Sequence, residues 1–170
     1  EGLALTIGNT GAAGAGFILY ATAGGEPRFY TVEAGKSLDD LIPLDGAVYS
    51  FNLHGPNGFL RGFSGNAKAA VEEVSARFDP ASGKLVMTLI NRGDPWRTMS
   101  VMPNAYLPNS SERFTLGSRA ELIHAWDISK SGHWYDFTVR GGEPGSEWRI
   151  AGHGEDGRPS VSDPLFGRPA

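Results

Sequence analysis

The residues best suited to chemistry stand close together near the C-terminal end: His153, Glu155, Asp156 and Asp163. One imidazole and several carboxylates in a short polar loop could supply ligands to a divalent cation, since Ca²⁺ is held by oxygen-rich loops. A solvated acidic turn is the commoner outcome for such a stretch. The remaining histidines are His54, His124 and His133, and none of the four has a partner at i+4, so no helical metal site is suggested. Cysteine is absent, which removes disulfides, thiolate catalysis and zinc–thiolate sites together and leaves the compartment open.

Two glycine-rich stretches resemble phosphate-binding loops only superficially. Gly11-Ala12-Ala13-Gly14-Ala15-Gly16 breaks the G-x-G-x-x-G spacing at Leu19, and an apolar strand follows where a helix is required. Gly35-Lys36-Ser37 lacks the glycine five positions upstream, where Tyr30 stands, so it reads as a turn. No serine occupies a G-x-S-x-G elbow, so the strand-to-helix nucleophile arrangement has no support. Trp96, Trp126, Trp134 and Trp148 all fall in the second half, with Tyr106 and Tyr135 nearby. Stacked rings can cage a quaternary ammonium group, but in a small β-protein they more often fill the core. Trp134 and Tyr135, adjacent on a strand, must point to opposite faces.

The elements that would position these side chains come in two copies. Gly46-Ala47-Val48-Tyr49-Ser50-Phe51-Asn52-Leu53 returns 86 positions later as Gly132-His133-Trp134-Tyr135-Asp136-Phe137-Thr138-Val139. In each copy, apolar side chains at alternate positions mark a strand with one face toward a core. Leu3–Gly11 returns as Leu85–Gly93, Tyr30-Thr31-Val32 as Phe114-Thr115-Leu116, and Phe63–Asn66 as Ile150–His153; Val74-Ser75 is matched by Val161-Ser162. The spacing drifts from 82 to 87 while the order is kept, as expected where loops change length between fixed strands.

Further strands are expected at Phe17–Ala21 (buried on both faces), Arg28–Glu33, Leu38–Leu44, Phe59–Ser64, Val71–Phe78, Thr98–Met102, Leu122–Ile128 and Pro159–Ser162. Gly55-Pro56-Asn57-Gly58 carries the chemistry of a tight hairpin, because Asn and Gly accept positive φ. The pattern predicts an all-β protein of two tandem Ig-like β-sandwich repeats, residues 1–67 and 68–170, with Ala67–Ala70 as the connection. The strand at Val71–Phe78 either closes the first unit or opens the second. If it opens the second, the matching strand of the first would lie upstream of Glu1.

Composition excludes several function classes. Lys and Arg number 15 against 19 Asp and Glu, with 5 basic and 9 acidic residues in 1–79 and 10 of each in 80–170. No basic stripe exists, so a nucleic-acid partner is not expected. The apolar runs are too short to span a bilayer, and no signal peptide opens the chain.

Several phrases resemble the C-terminal domain of the bacterial phosphocholine-hydrolysing phospholipases C, a module that occurs in tandem after the catalytic domain. They are Asn9–Ala15, Tyr30–Gly35, His54-Gly55-Pro56-Asn57-Gly58-Phe59-Leu60-Arg61, Gly132–Val139 and Gly152–Pro164, the last containing Gly157-Arg158-Pro159-Ser160-Val161-Ser162-Asp163-Pro164. The resemblance covers nearly the whole chain. It departs at Gly154, where the family tends to carry an aliphatic residue, and at Trp148-Arg149-Ile150, which replaces Phe-Leu-Arg.

The resemblance implies an exported parent enzyme, secreted or periplasmic, that cleaves phospholipid phosphodiester bonds. Its metal-assisted catalytic phosphoesterase domain would lie upstream and would be this chain's partner, with a phospholipid surface as a second possible partner. No catalytic residue carries over, and no cofactor is implied for this chain. The chain is then an accessory region without activity of its own. The alternative is an independent module binding lipid headgroup or carbohydrate through the aromatic second half. Within the tail, Arg158 and Asp163 are expected to be tied by hydrogen bonds as a structural clasp.

Overall fold

A computed structural model describes residues 2–166 of the chain. Thirteen strands follow one another: β1 (Gly2–Gly8), β2 (Ala15–Ala21), β3 (Arg28–Val32), β4 (Ser37–Pro43), β5 (Val48–His54), β6 (Leu60–Asn66), β7 (Glu72–Asp79), β8 (Lys84–Asn91), β9 (Arg97–Ala105), β10 (Glu112–Leu116), β11 (Glu121–Asp127), β12 (Trp134–Arg140) and β13 (Glu147–His153). A single 3₁₀ turn at Ser129–Ser131 is the one helical element among the described residues. Period-two alternation with β-branched and aromatic residues explains why these segments extend.

The strands form two layers. One layer is an eight-stranded sheet in the order β10-β9-β12-β13-β6-β5-β2-β3. The other is split into a two-stranded piece, β1-β4, and a three-stranded piece, β11-β8-β7. The repeat is visible in the pairings: β1 with β4 as β8 with β11, β2 with β3 and β5 as β9 with β10 and β12, and β5 with β6 as β12 with β13. β7 pairs with β8 and opens the second half.

The two halves are not independently sheeted. β13 pairs with β6, and in that antiparallel register Arg149 faces Gly62. These two are equivalents in the repeat (149 − 87 = 62), so a local two-fold axis passes between them and joins both halves into one sheet. The broad class, an antiparallel β-sandwich, is as the sequence predicts.

Two cores lie between the layers. The larger gathers Leu85, Met87, Leu89, Met99, Val101, Trp126, Phe137 and Val139, among others. The smaller gathers Ile7, Phe17, Leu19, Tyr30, Val32, Ile42 and Leu53. Trp126 alone of the four tryptophans is core; Trp96 stands out in solvent. β2 is buried on one face only, through Phe17 and Leu19, with Tyr20 exposed, because among the described residues no layer covers the outside of the long sheet. The strand expected at Pro159–Ser162 does not form: Val161-Ser162 lie in irregular chain, although their counterparts Val74-Ser75 are in β7.

Local rules hold where the sequence announced them. Asn57 and Gly58 both take positive φ, 53° and 68°, and the Phe59 N–H donates to the Pro56 carbonyl at 3.0 Å. The turn from β12 to β13 is held differently. Glu72, buried at the start of β7, accepts the backbone N–H groups of Gly142 and Glu143, while Glu143 pairs with Arg97.

Two tyrosines are pushed up from about 10 to about 12, Tyr30 and Tyr106, each first by burial and then by a hydroxyl donated to a carboxylate, Asp40 or Asp163. A phenol whose folded pKa is raised contributes stability that is full below the unfolded value and is lost as pH rises through the folded value. We therefore expect alkaline destabilisation between about pH 10 and 12. Near-ultraviolet tyrosinate titration should show both phenols ionising late, and Tyr30→Phe should remove one of the late transitions.

Candidate functional site

The polar tail and the aromatic residues meet at the seam between the halves. β12 sends Tyr135 into the core and Trp134 outward, as their adjacency requires. Trp134 donates its indole N–H to the Val161 carbonyl at 2.8 Å, and its ring packs on His153 at 4.8 Å between centroids. Tyr106, just beyond β9, faces Trp134 at 6.3 Å and 33°. A cleft of about 280 Å³ lies here, lined by His54, Tyr106, Trp134, Tyr135, Asp136 and Asp163, among others. Among the described residues, three of the four non-glycine residues with positive φ line or border it: Tyr106 lines it, and Asn57 and His133 adjoin lining residues in sequence. Such strain persists only where surrounding contacts over-determine the backbone.

The carboxylates of this cleft are already engaged. Asp136 accepts a forked pair from Arg149, at 3.2 and 2.8 Å, and a bond from Asn104 at 2.8 Å. Asp163 accepts the Tyr106 hydroxyl at 3.0 Å and the Leu165 N–H at 2.8 Å. Arg61, from the hairpin β5–β6, crosses the seam, donating to the Ala151 carbonyl at 2.8 Å and to the Tyr135 hydroxyl at 3.2 Å, with its guanidinium 4.4 Å above the Phe59 ring. The phrase from His54 to Arg61 thus builds a turn and a strap between the halves.

Of the four candidate metal ligands, His153 and Glu155 meet, while Asp156 and Asp163 bond elsewhere. His153 has one ring nitrogen 3.0 Å from Glu155 and the other 2.9 Å from the Gly132 carbonyl. Glu155 also accepts from Asn57 across the seam. Asp156 caps its own turn through the Arg158 N–H at 3.0 Å, and Asp163 is occupied with Tyr106. The described residues hold no grouping of three or more metal-ligating side chains.

The expected clasp forms in half. Asp163 is tied down, but the Arg158 side chain is 84% exposed and reaches Asp156 only at 4.0 Å. Screening and side-chain entropy leave such an exposed pair little value. We expect Asp163→Ala to cost about 0.5 to 1.5 kcal/mol through the lost hydroxyl bond. Arg158→Ala should leave the denaturant midpoint unchanged. A midpoint that falls in the Arg158 variant instead would contradict this assignment.

Sequence reasoning missed Glu72, and it missed why Gly154 is glycine. A side chain there would meet the Phe78 ring at 2.4 Å, so the ring takes the room. It also missed a larger cleft, about 610 Å³, between the layers beside β1.

Residues 1–66 and again 72–153 match the family model "Bacterial phospholipase C, C-terminal domain". The chain belongs to that family. It is 41% identical over 173 residues to a non-hemolytic phospholipase C of Burkholderia pseudomallei, covering 95% of this chain and 24% of that protein. A non-hemolytic phospholipase C of Pseudomonas aeruginosa is 39% identical over 182 residues, with 98% and 26% covered. A hemolytic phospholipase C of the same organism is 35% identical over 188 residues, again with 98% and 26% covered. The chain therefore spans about a quarter of the length of these relatives. No helix among the described residues is long and apolar enough to cross a membrane.

Proposed function

We propose that this chain is the accessory C-terminal region of an exported bacterial phospholipase C, non-catalytic itself, which packs beside a catalytic phosphoesterase domain elsewhere in the same polypeptide. Its units are residues 1–67 and 68–170, and its work is to stabilise that domain, to shape access to its site, or to orient it at a phospholipid surface. The observation that carries the reading is the match itself, which covers nearly all of this chain but only a quarter of each relative. The family's fold alone would not assign a function. The site geometry supports the same reading: His153, Glu155 and Asp163 spend their polar atoms joining loops.

The isolated chain should hydrolyse p-nitrophenyl phosphorylcholine no faster than buffer, with or without added divalent metals. Metal-dependent turnover that survives repurification would overturn the reading.

A second reading, a headgroup-binding module, is favoured by the facing Trp134 and Tyr106 rings. It calls for tryptophan fluorescence that saturates with phosphocholine and is lost in Trp134→Ala.

A further inference from the structure

In the second half, β8 lies between β11 and β7. Its counterpart β1 has β4 on one side and, among the described residues, no strand on the other. β7 turns Val74, Ala76 and Phe78 onto the larger core and stands opposite Leu89, Met87 and Leu85. The same positions of the first half, Ile7, Leu5 and Leu3, face the place where a strand like β7 would run.

Burial records the difference. Leu85, Met87 and Leu89 are all 0% exposed, whereas Leu3 and Leu5 remain half-buried. On the facing sheet, Phe137 and Ile150 are 0% and 3% exposed, while their equivalents Phe51 and Phe63 are half-buried. The cleft of about 610 Å³ lies along this edge. Leu3 and Leu5 form one wall, Val74 and Ala76 of β7 another, and Phe63 and Trp148 line it from the long sheet. An open edge over an apolar trough suits an added strand, whose backbone extends the ladder while alternate side chains fill the space.

We propose that the outer edge of β1 seats one further strand, supplied by the polypeptide immediately ahead of Gly2, which fills the cleft between β1 and β7. That source rests on the reading of this chain as part of a longer phospholipase C. The repeat specifies the connection, because β7 reaches β8 through only Pro80–Gly83, so the corresponding strand must directly precede β1. It also specifies the pattern, which is apolar side chains at alternate positions opposite Ile7, Leu5 and Leu3, and a short turn rich in Gly or Pro. The family match agrees: the second copy, 72–153, contains seven strands including β7, and the first, 1–66, contains six. With the strand in place, the split layer gains the piece that the local two-fold axis requires.

The test compares amide hydrogen exchange of β1 in three proteins. They are residues 1–170, the same chain with a second copy of Glu72–Gly83 joined ahead of Gly2, and the chain extended by the twelve residues that precede it in its own polypeptide. Both extensions should slow exchange of the β1 amides that do not face β4 by about tenfold or more. Both should also abolish binding of an apolar fluorescent dye. If neither extension protects β1, the seat is refuted. If the grafted copy protects and the natural segment does not, the proposed occupant is wrong, while the family reading stands. Concentration-dependent protection of β1 in the unextended chain would assign the edge to a second copy of this chain instead. Protection by phosphatidylcholine vesicles alone would assign the cleft to lipid and equally overturn the proposal.

Discussion

Phe137→Ala is expected to lower the unfolding free energy by about 3 to 5 kcal/mol. The ring is fully buried in β12, packed on Trp126 at 5.2 Å between centroids. Its strand neighbours are Ile150 on β13 and Pro103 on β9, at a register shift next to Asp136. Removing the ring forfeits its transfer from water and leaves a cavity that paired strands on both sides cannot collapse into. A domain of this size has a total stability of about 5 to 15 kcal/mol, so the loss is a large fraction of it. The equivalent change in the first half, Phe51→Ala, should cost clearly less, because Phe51 is only half-buried. Chemical denaturation of both variants decides the matter, and equal losses would contradict the difference in burial between the two cores.

Asn91→Ala should cost about 2 to 4 kcal/mol, since it leaves several buried backbone groups without partners. Its side-chain amide donates to the carbonyls of Pro95 and Gly117, both at 2.8 Å, and its oxygen accepts the Gly93 N–H at 2.9 Å. Asn9 makes the same three bonds in the first half, to the carbonyls of Ala13 and Val32 and from the Gly11 N–H. Asn91→Asp should be at least as damaging, because a carboxylate cannot donate to two carbonyls and would bury a charge facing them. Asn9→Ala should cost less, since that site is nearer solvent. Loss of exchange protection at Gly93 in the Asn91 variants would locate the damage. A stability unchanged by Asn91→Ala would mean that water replaces the side chain.

Much of this fold is legible in the order of residues. Alternation in Val48–His54 and Trp134–Arg140 finds the central strands, and Asn57-Gly58 finds its hairpin. The Asn-x-Gly echo marks both loop clasps, although only the structure shows the bonds. The joining of β6 to β13 is not legible, because it is made by backbone groups at strand edges, which carry no composition signal. Glu72 escaped notice because an acidic pair at a strand start reads as solvent-facing, whereas one of the two is buried under a hairpin.

The tail misled in the opposite direction. Its fixed wording suggested a strand and a two-residue clasp, yet the bonds to distant segments come from Asp163, Glu155, His153 and the Val161 carbonyl, not from Arg158. Arg158 projects into solvent, and local sequence cannot distinguish an arginine tied within its own fold from one left free at the surface.

Whether this region acts by packing beside a catalytic domain is decided by thermal unfolding of the proposed parent phospholipase C with and without the segment spanning residues 1–170. The truncated enzyme should unfold at a lower temperature, lose activity toward phosphatidylcholine vesicles, and regain part of both when the isolated chain is added back. A truncated enzyme with the melting temperature and vesicle activity of the full protein would contradict it.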